Sequence, residues 1–257
     1  MPEFSKQQLT VNGLDVSVLS AGEGDPLVYF HGESTQHGFN HLLPLAERRR
    51  LVIPIHPGFG ESADDPSIDT VHDYVLHYLD LLDMLEIAYF GLIGFSLGAW
   101  LAAVFAGERN NRVRQLALVA PLGLRVPEHP STDVFSMPTP DMAKLLTNKS
   151  ELAARPEAGD VEGLVLEYRE SMAVARVMWE RNYDTKLPKW LRRNSMPSLL
   201  MWGQDDRITP AAQATAWREH MPQAQVDIVP GAGHLVLEEN QEAVRRLAGF
   251  VSAAPAR

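Results

Sequence analysis

The feature that most constrains this chain is the stretch from Ile87 to Gly107, IAYFGLIGFSLGAWLAAVFAG, 21 residues in which only Ser96 is clearly polar. A run of that length is long enough to span a bilayer, and Gly94 and Gly98 stand at the spacing of a small-residue dimer seam. Its other properties point elsewhere. Four glycines interrupt it, its first third is strand-like, Glu86 and Glu108 flank it, and no basic anchor stands at either end. A parallel sheet covered on both faces produces unbroken apolar runs of this kind. The stretch therefore reads as a central buried strand that turns sharply into a buried helix.

The rest of the chain supports that reading. Residues 7 to 19 alternate around Asn12-Gly13, a strong hairpin signal, so two antiparallel strands are expected first. Short apolar runs follow at Leu27 to Phe30, Leu51 to Ile55, Ile87 to Ile93, Val113 to Ala120, Ser198 to Trp202 and Val226 to Val229. Helical patterns lie between them at Thr70 to Leu85, Leu97 to Arg109, and Pro210 to His220, the last with Thr209 as N-cap and Pro210 in the first turn. Strand and helix alternate, which predicts an α/β fold with a mostly parallel central sheet and helices on both faces. From Pro121 to Met196 the rhythm breaks into a proline-rich opening and two helical patterns, Asp141 to Ala154 and Val161 to Arg181, with no strand between. In the second, Val165, Tyr168, Met172, Ala175 and Trp179 share one face. The division expected is a core of residues 1–120 and 197–257 and a helical cap of residues 121–196, lying over the carboxyl edge of the sheet where ligands bind in such folds.

Composition narrows the partners. With 257 residues, 45% hydrophobic and 22% charged, one core with an inserted piece is favoured. A net charge of −10 repels phosphate backbones and anionic lipid, so neither nucleic acid nor membrane is an expected partner. With no Cys there is no disulfide, thiolate-held metal or thiol nucleophile. Met1 to Leu9 has neither the basic nor the apolar region of a secretory leader, and the expected location is the cytoplasm.

The chemistry starts at Gly94-Phe95-Ser96-Leu97-Gly98. A serine hydroxyl that attacks a carbonyl must project clear of its neighbours, and a tight strand-to-helix turn with glycine on either side achieves this. Further along stand His31-Gly32, Pro57-Gly58-Phe59-Gly60-Glu61-Ser62, Trp202-Gly203-Gln204-Asp205-Asp206 and Gly231-Ala232-Gly233-His234. In this combination, over nearly the whole chain, the sequence resembles the α/β-hydrolase-fold serine hydrolases, with Ser, Asp and His in the chain order those enzymes use.

That resemblance implies the roles. Ser96 would be the nucleophile and His234 its base, since a neutral hydroxyl needs a neighbour with a pKa near neutrality. A carboxylate would fix the imidazole tautomer. Asp205 and Asp206 compete for that place, and the family pattern W-G-x-x-D-x-x-x-P selects Asp206. The oxyanion hole would use the backbone N–H groups of Leu97 and Glu33. A carboxylate at Glu33 opposes a developing oxyanion if it points inward, so it is expected to aim away or to be hydrogen-bonded, with Ser34 as helper. His31 is expected to order its loop.

Other patterns have ordinary explanations. Gly58 to Ala63 matches a dinucleotide fingerprint, but no helix opens there. His37 and His41 have zinc-helix spacing, but Gly38 lies between them and no metal site is expected. His72 and His77 are expected to be solvated, and His56 has no assigned role. With Ser at position 96, the Asp-dependent dehalogenase and epoxide hydrolase reactions of this fold are disfavoured. The expected function is cofactor-free hydrolysis of a small-molecule ester, thioester or lactone, or of a carbon-carbon bond, through an acyl-enzyme, with Met172 and Trp179 lining the acyl pocket. The alternative is a non-catalytic ligand-binding protein on the same fold. Oligomeric state is not encoded in any feature found.

Overall fold

Asn12 and Gly13, at φ 51° and 86°, turn β1 (Ser5–Val11) back along β2 (Leu14–Ala21). Positive φ at both central residues gives the turn a twist that matches the flanking strands. The computed structural model describes residues 2–153, 155–157 and 159–253. Beyond the hairpin, β3 (Pro26–Phe30), β4 (Arg50–Pro54), β5 (Phe90–Phe95), β6 (Val113–Val119), β7 (Ser198–Gly203) and β8 (Gln225–Val229) complete an eight-stranded sheet in the order β1-β2-β4-β3-β5-β6-β7-β8. Only the pairs made by β2 are antiparallel. The helices are α1 (Val71–Met84), α2 (Leu97–Glu108), α3 (Thr139–Leu146), α4 (Val161–Met178), α5 (Leu187–Leu191), α6 (Ala214–His220), α7 (Val236–Glu239) and α8 (Gln241–Ser252).

The long apolar stretch becomes β5, every residue of which is buried, and α2, which is buried all round up to Gly107. No helix among the described residues is long and apolar enough to cross a membrane. β5 begins three residues later than the apolar run, because Ile87 closes α1 instead: its N–H donates to Leu82 O at 2.9 Å. Thr70 caps α1 with a reciprocal capping box to Asp73.

Three expectations need correction. Thr209 does not cap the helix after it; its hydroxyl is committed to Asp206, Pro210 is extended at ψ 134°, and a short 3-10 turn (Ala211–Gln213) precedes α6. His77 is buried, since α1 packs through a broad stripe that includes Tyr74, His77 and Tyr78, and burial pushes its pKa down to about 4. On α4 the buried residues are Glu170, Ala173, Val174 and Met178, whereas Val165, Tyr168 and Met172 face solvent. The apolar stripe does not choose the docking face of α4, because polar contacts to the core choose it. Glu170 bonds to two core loops, Arg176 pairs with Asp64, and Arg169 donates to Gly60 O. Residues 121–196 thus supply α3 and α4 over one edge of the sheet, while α5 packs against α2, with Trp190 at Gly107.

Candidate active site

Ser96 follows the last residue of β5 at φ 52°, ψ −113°, a conformation that a non-glycine residue holds only when its surroundings impose it. The glycines on either side show how they do so. A Cβ at Gly94 would lie 2.3 Å from Gly98 O, and one at Gly98 would lie 2.1 Å from Phe30 O. The turn closes only because both positions lack a side chain. β3, paired with β5 from Leu27–Gly91 to Phe30–Gly94, carries His31-Gly32-Glu33 to the same edge. β7 delivers Asp206 and the loop after β8 delivers His234.

These residues meet. His234 Nε2 lies 2.8 Å from Ser96 Oγ, and His234 Nδ1 lies 2.9 Å from Asp206 Oδ2. All three side chains are buried. Asp206, not Asp205, faces the imidazole. Its Oδ1 accepts the Ile208 and Thr209 N–H groups at 2.8 Å each, and Oδ2 also accepts the Thr209 hydroxyl at 2.9 Å. Those donors satisfy the oxygens of a carboxylate that is buried. Asp205 is exposed and accepts from Asn148 Nδ2 at 3.0 Å. Burial by itself would lower the pKa of His234, but Asp206, as charge and as acceptor, together with Glu33 and Glu238 holds it above the ordinary histidine value.

Of the two alternatives expected for Glu33, the structure shows the second. It is hydrogen-bonded, but it does not aim away: its Oε1 accepts from Ser96 Oγ at 2.8 Å. Ser34 is no helper, since its hydroxyl donates to Glu170 Oε2 at 3.0 Å. Among the described residues, neither the Leu97 nor the Glu33 backbone N–H donates to a protein acceptor, so both donors are free for a ligand oxygen. His31 orders the loop. Its Nε2 accepts the His56 N–H at 2.9 Å, its Nδ1 lies 2.8 Å from Gly32 O, and the two imidazoles stack with centroids 3.6 Å apart. Burial drives the His31 pKa down to about 3 and holds that of His56 well below the ordinary histidine value, with the neighbouring His31 adding to the effect. Both rings are neutral scaffold, and that is the place of His56.

Two carboxylates that sequence reasoning did not single out complete the frame. Glu170, buried on α4, accepts from Ser34 Oγ, from Thr35 N at 3.1 Å, from Thr35 Oγ1 at 2.5 Å and from Gly60 N at 3.0 Å. Glu239 accepts the Gly233 N–H at 2.9 Å and the Asn148 N–H at 3.2 Å, fixing the backbone just before His234. Neither carries a sequence signal, since Glu170 stands between Arg169 and Ser171 and Glu239 between Glu238 and Asn240, as solvated charges do.

A cavity of about 350 Å³ adjoins the triad, bounded by Glu33, His234, Phe135, Met142, Val174 and Trp179. A smaller one of about 80 Å³ lies behind Glu33, bounded also by Tyr29 and Glu238. Trp179 stands at the rim of the larger cavity, 71% exposed and 5.4 Å from Phe135 between ring centroids. Met172 is exposed and does not border it; α4 turns Ser171 and Val174 toward the cavity instead. No group of three or more His, Asp or Glu side chains among the described residues is arranged to hold a metal, His37 and His41 included.

Comparison with known proteins agrees with this fold. A sequence model of the family described as alpha/beta hydrolase fold matches residues 25–241. The chain is similar to the 2-hydroxy-6-oxo-2,4-heptadienoate hydrolase of Pseudomonas putida, at 24% identity over 266 residues covering 96% of each chain. Among solved structures it is similar to a bacterial membrane phospholipase A, with a TM-score of 0.83, 19% identity, and 98% of this chain and 86% of that one covered. It is likewise similar to a thermophilic esterase from Thermogutta terrifontis, with a TM-score of 0.77, 21% identity, and 98% and 100% covered.

Proposed function

Because the chain belongs to the alpha/beta hydrolase fold family, we propose that it is a serine hydrolase of small-molecule esters, thioesters or lactones that works without a cofactor. The observation that carries this reading is the unbroken hydrogen-bonded series Ser96–His234–Asp206. Ser96 Oγ attacks the carbonyl carbon as His234 Nε2 takes its proton, and the imidazolium is stabilised by Asp206. The carbonyl oxygen, now an oxyanion, is bound by the backbone N–H groups of Leu97 and Glu33. His234 then protonates the leaving group, an acyl-enzyme forms on Ser96, and water activated by the same imidazole releases the acid. Within residues 121–196, α3 and α4 serve as a cap that keeps the site poor in water, which strengthens each of these charge interactions.

Labelling by a fluorophosphonate probe tests the reading directly. Wild-type protein should be labelled stoichiometrically, and Ser96→Ala and heat-denatured protein not at all. Failure of the native protein to label would leave a ligand-binding protein on this fold. The likeness to a dienoate hydrolase over 96% of both chains favours a second reading, hydrolysis of a carbon-carbon bond beside a ketone by the same serine. Turnover of a 2-hydroxy-6-oxo-dienoate in preference to simple esters would establish it.

A further inference from the structure

The position of Glu33 has a consequence for substrate choice. Ser96 has no exposed surface and borders neither cavity, whereas Glu33 borders both. Its carboxylate lies between the nucleophile and the space a substrate would fill, and the only hydrogen-bond donor it meets among the described residues is Ser96 Oγ. No Lys or Arg borders either cavity, but a second carboxylate, Glu238, borders the smaller one, and its Oε2 has no hydrogen-bond partner. The rim of the larger cavity carries the aromatic pair Phe135 and Trp179. Apart from the catalytic His234, such a space offers an anionic substrate no cationic side chain, while aromatic faces and a carboxylate together suit a positive nitrogen.

We propose that this site selects substrates that carry an ammonium group, primary or quaternary, beside the scissile acyl bond, and that Glu33 is the residue that selects them. This rests on the serine-hydrolase reading and assigns its substrate class. A serine hydroxyl has one proton to donate. While it donates to Glu33 it cannot donate to His234 Nε2, and the nucleophile is not activated. An ammonium group that takes over the Glu33 carboxylate returns the Ser96 proton to the line toward His234 and clears the approach to Oγ. The cation is then bound and the nucleophile released in one exchange of partners at Glu33, through a hydrogen bond for a primary ammonium and through charge contact alone for a quaternary one. The net charge of −10 adds long-range attraction for cations.

Two matched ester series test this. On the acyl side, p-nitrophenyl 4-(trimethylammonio)butanoate is compared with its neutral isostere, p-nitrophenyl 5,5-dimethylhexanoate, and with the anionic p-nitrophenyl monoester of glutaric acid. On the alcohol side, butyrylcholine is compared with 3,3-dimethylbutyl butyrate and 3-(butanoyloxy)propanoate. In one series at least, kcat/KM should be tenfold or more higher for the cation than for its isostere and lower again for the anion, and Glu33→Gln should abolish most of that ranking. Equal rates for cation and isostere in both series, or a ranking unchanged in Glu33→Gln, overturns the proposal. Binding of choline against 3,3-dimethylbutanol to Ser96→Ala, followed by calorimetry, decides the same question without turnover. A protein that is unlabelled by fluorophosphonate yet prefers choline in a Glu33-dependent way would refute the hydrolase reading alone.

Discussion

Glu33 Oε1 lies 2.8 Å from Ser96 Oγ, the same distance that separates that oxygen from His234 Nε2. With both contacts in place, Ser96 donates to Glu33 and His234 must donate to Ser96, so the arrangement favours an imidazolium between two carboxylates. The pKa of His234 is raised accordingly, by Asp206 and then by Glu33 and Glu238 against the opposing effect of burial.

A base must be neutral to accept a proton, so activity falls as pH drops through this raised pKa. The acid limb of kcat/KM should lie above the ordinary histidine value of about 6.5. Glu33→Gln removes one negative neighbour and should move the limb to lower pH. A limb at or below 6.5 in the wild type would show that desolvation outweighs the carboxylates.

Asp206→Asn should lower kcat by about 10⁴, because an amide neither fixes the needed tautomer nor stabilises the imidazolium. Asp205→Asn loses only the contact to Asn148 and should stay within a few-fold of wild type. Steady-state kinetics on one chromogenic ester, with circular dichroism to verify folding, checks both. The opposite order would move the orienting acid to Asp205.

Glu238 is pushed up by burial to about 7, from an ordinary 4.5. The folded state therefore holds a proton that the unfolded chain releases between those values, and the associated stability is present below about pH 4.5 and lost as pH rises through about 7. Glu238→Gln does not titrate. Its Tm should exceed that of the wild type at pH 8 by several degrees, on the order of 2–3 kcal/mol, and the gap should close toward pH 4.5.

Glu170→Ala removes the acceptor of three side-chain and backbone donors in the loop after His31 and of the Gly60 N–H, and should cost roughly 2–4 kcal/mol of stability. Because Thr35 lies two residues beyond Glu33, kcat should also fall more than thermal destabilisation explains, measured well below the variant's Tm. A variant that melts early but keeps wild-type kcat would confine Glu170 to a structural role.

Trp179→Ala should leave Tm nearly unchanged, since the indole is 71% exposed. It should alter the ratio of kcat/KM for long against short acyl esters, by no more than roughly 1–3 kcal/mol per lost methylene contact. An unchanged chain-length profile would remove Trp179 from the substrate's path.

The sequence carries the sheet, the nucleophile turn and the order of the three site residues because each depends on local signals: apolar runs, glycine spacing and chain order. The choice between Asp205 and Asp206 followed from the spacing to Pro210, and the cradle of Ile208 and Thr209 amides around Asp206 shows what that spacing accomplishes. The face of α4 was not legible. Its apolar stripe of Val165, Tyr168 and Met172 faces solvent, because a single buried carboxylate with four donors outweighs three apolar contacts in fixing the rotation of that helix. The inward turn of Glu33 was illegible for the same kind of reason: it depends on a partner 63 residues away in the chain.

Glu170 stands on α4, in the proposed cap, and the donors it holds stand on two loops of the core. Lifting α4 far enough to let a bulky product leave would break these contacts, along with those of Arg169 and Arg176, and would slacken the loop that presents the Glu33 amide. An open site is then a disarmed one. Water that entered during such an opening would meet a serine with an oxyanion donor out of position, so the same four hydrogen bonds would couple product release to protection against idle hydrolysis.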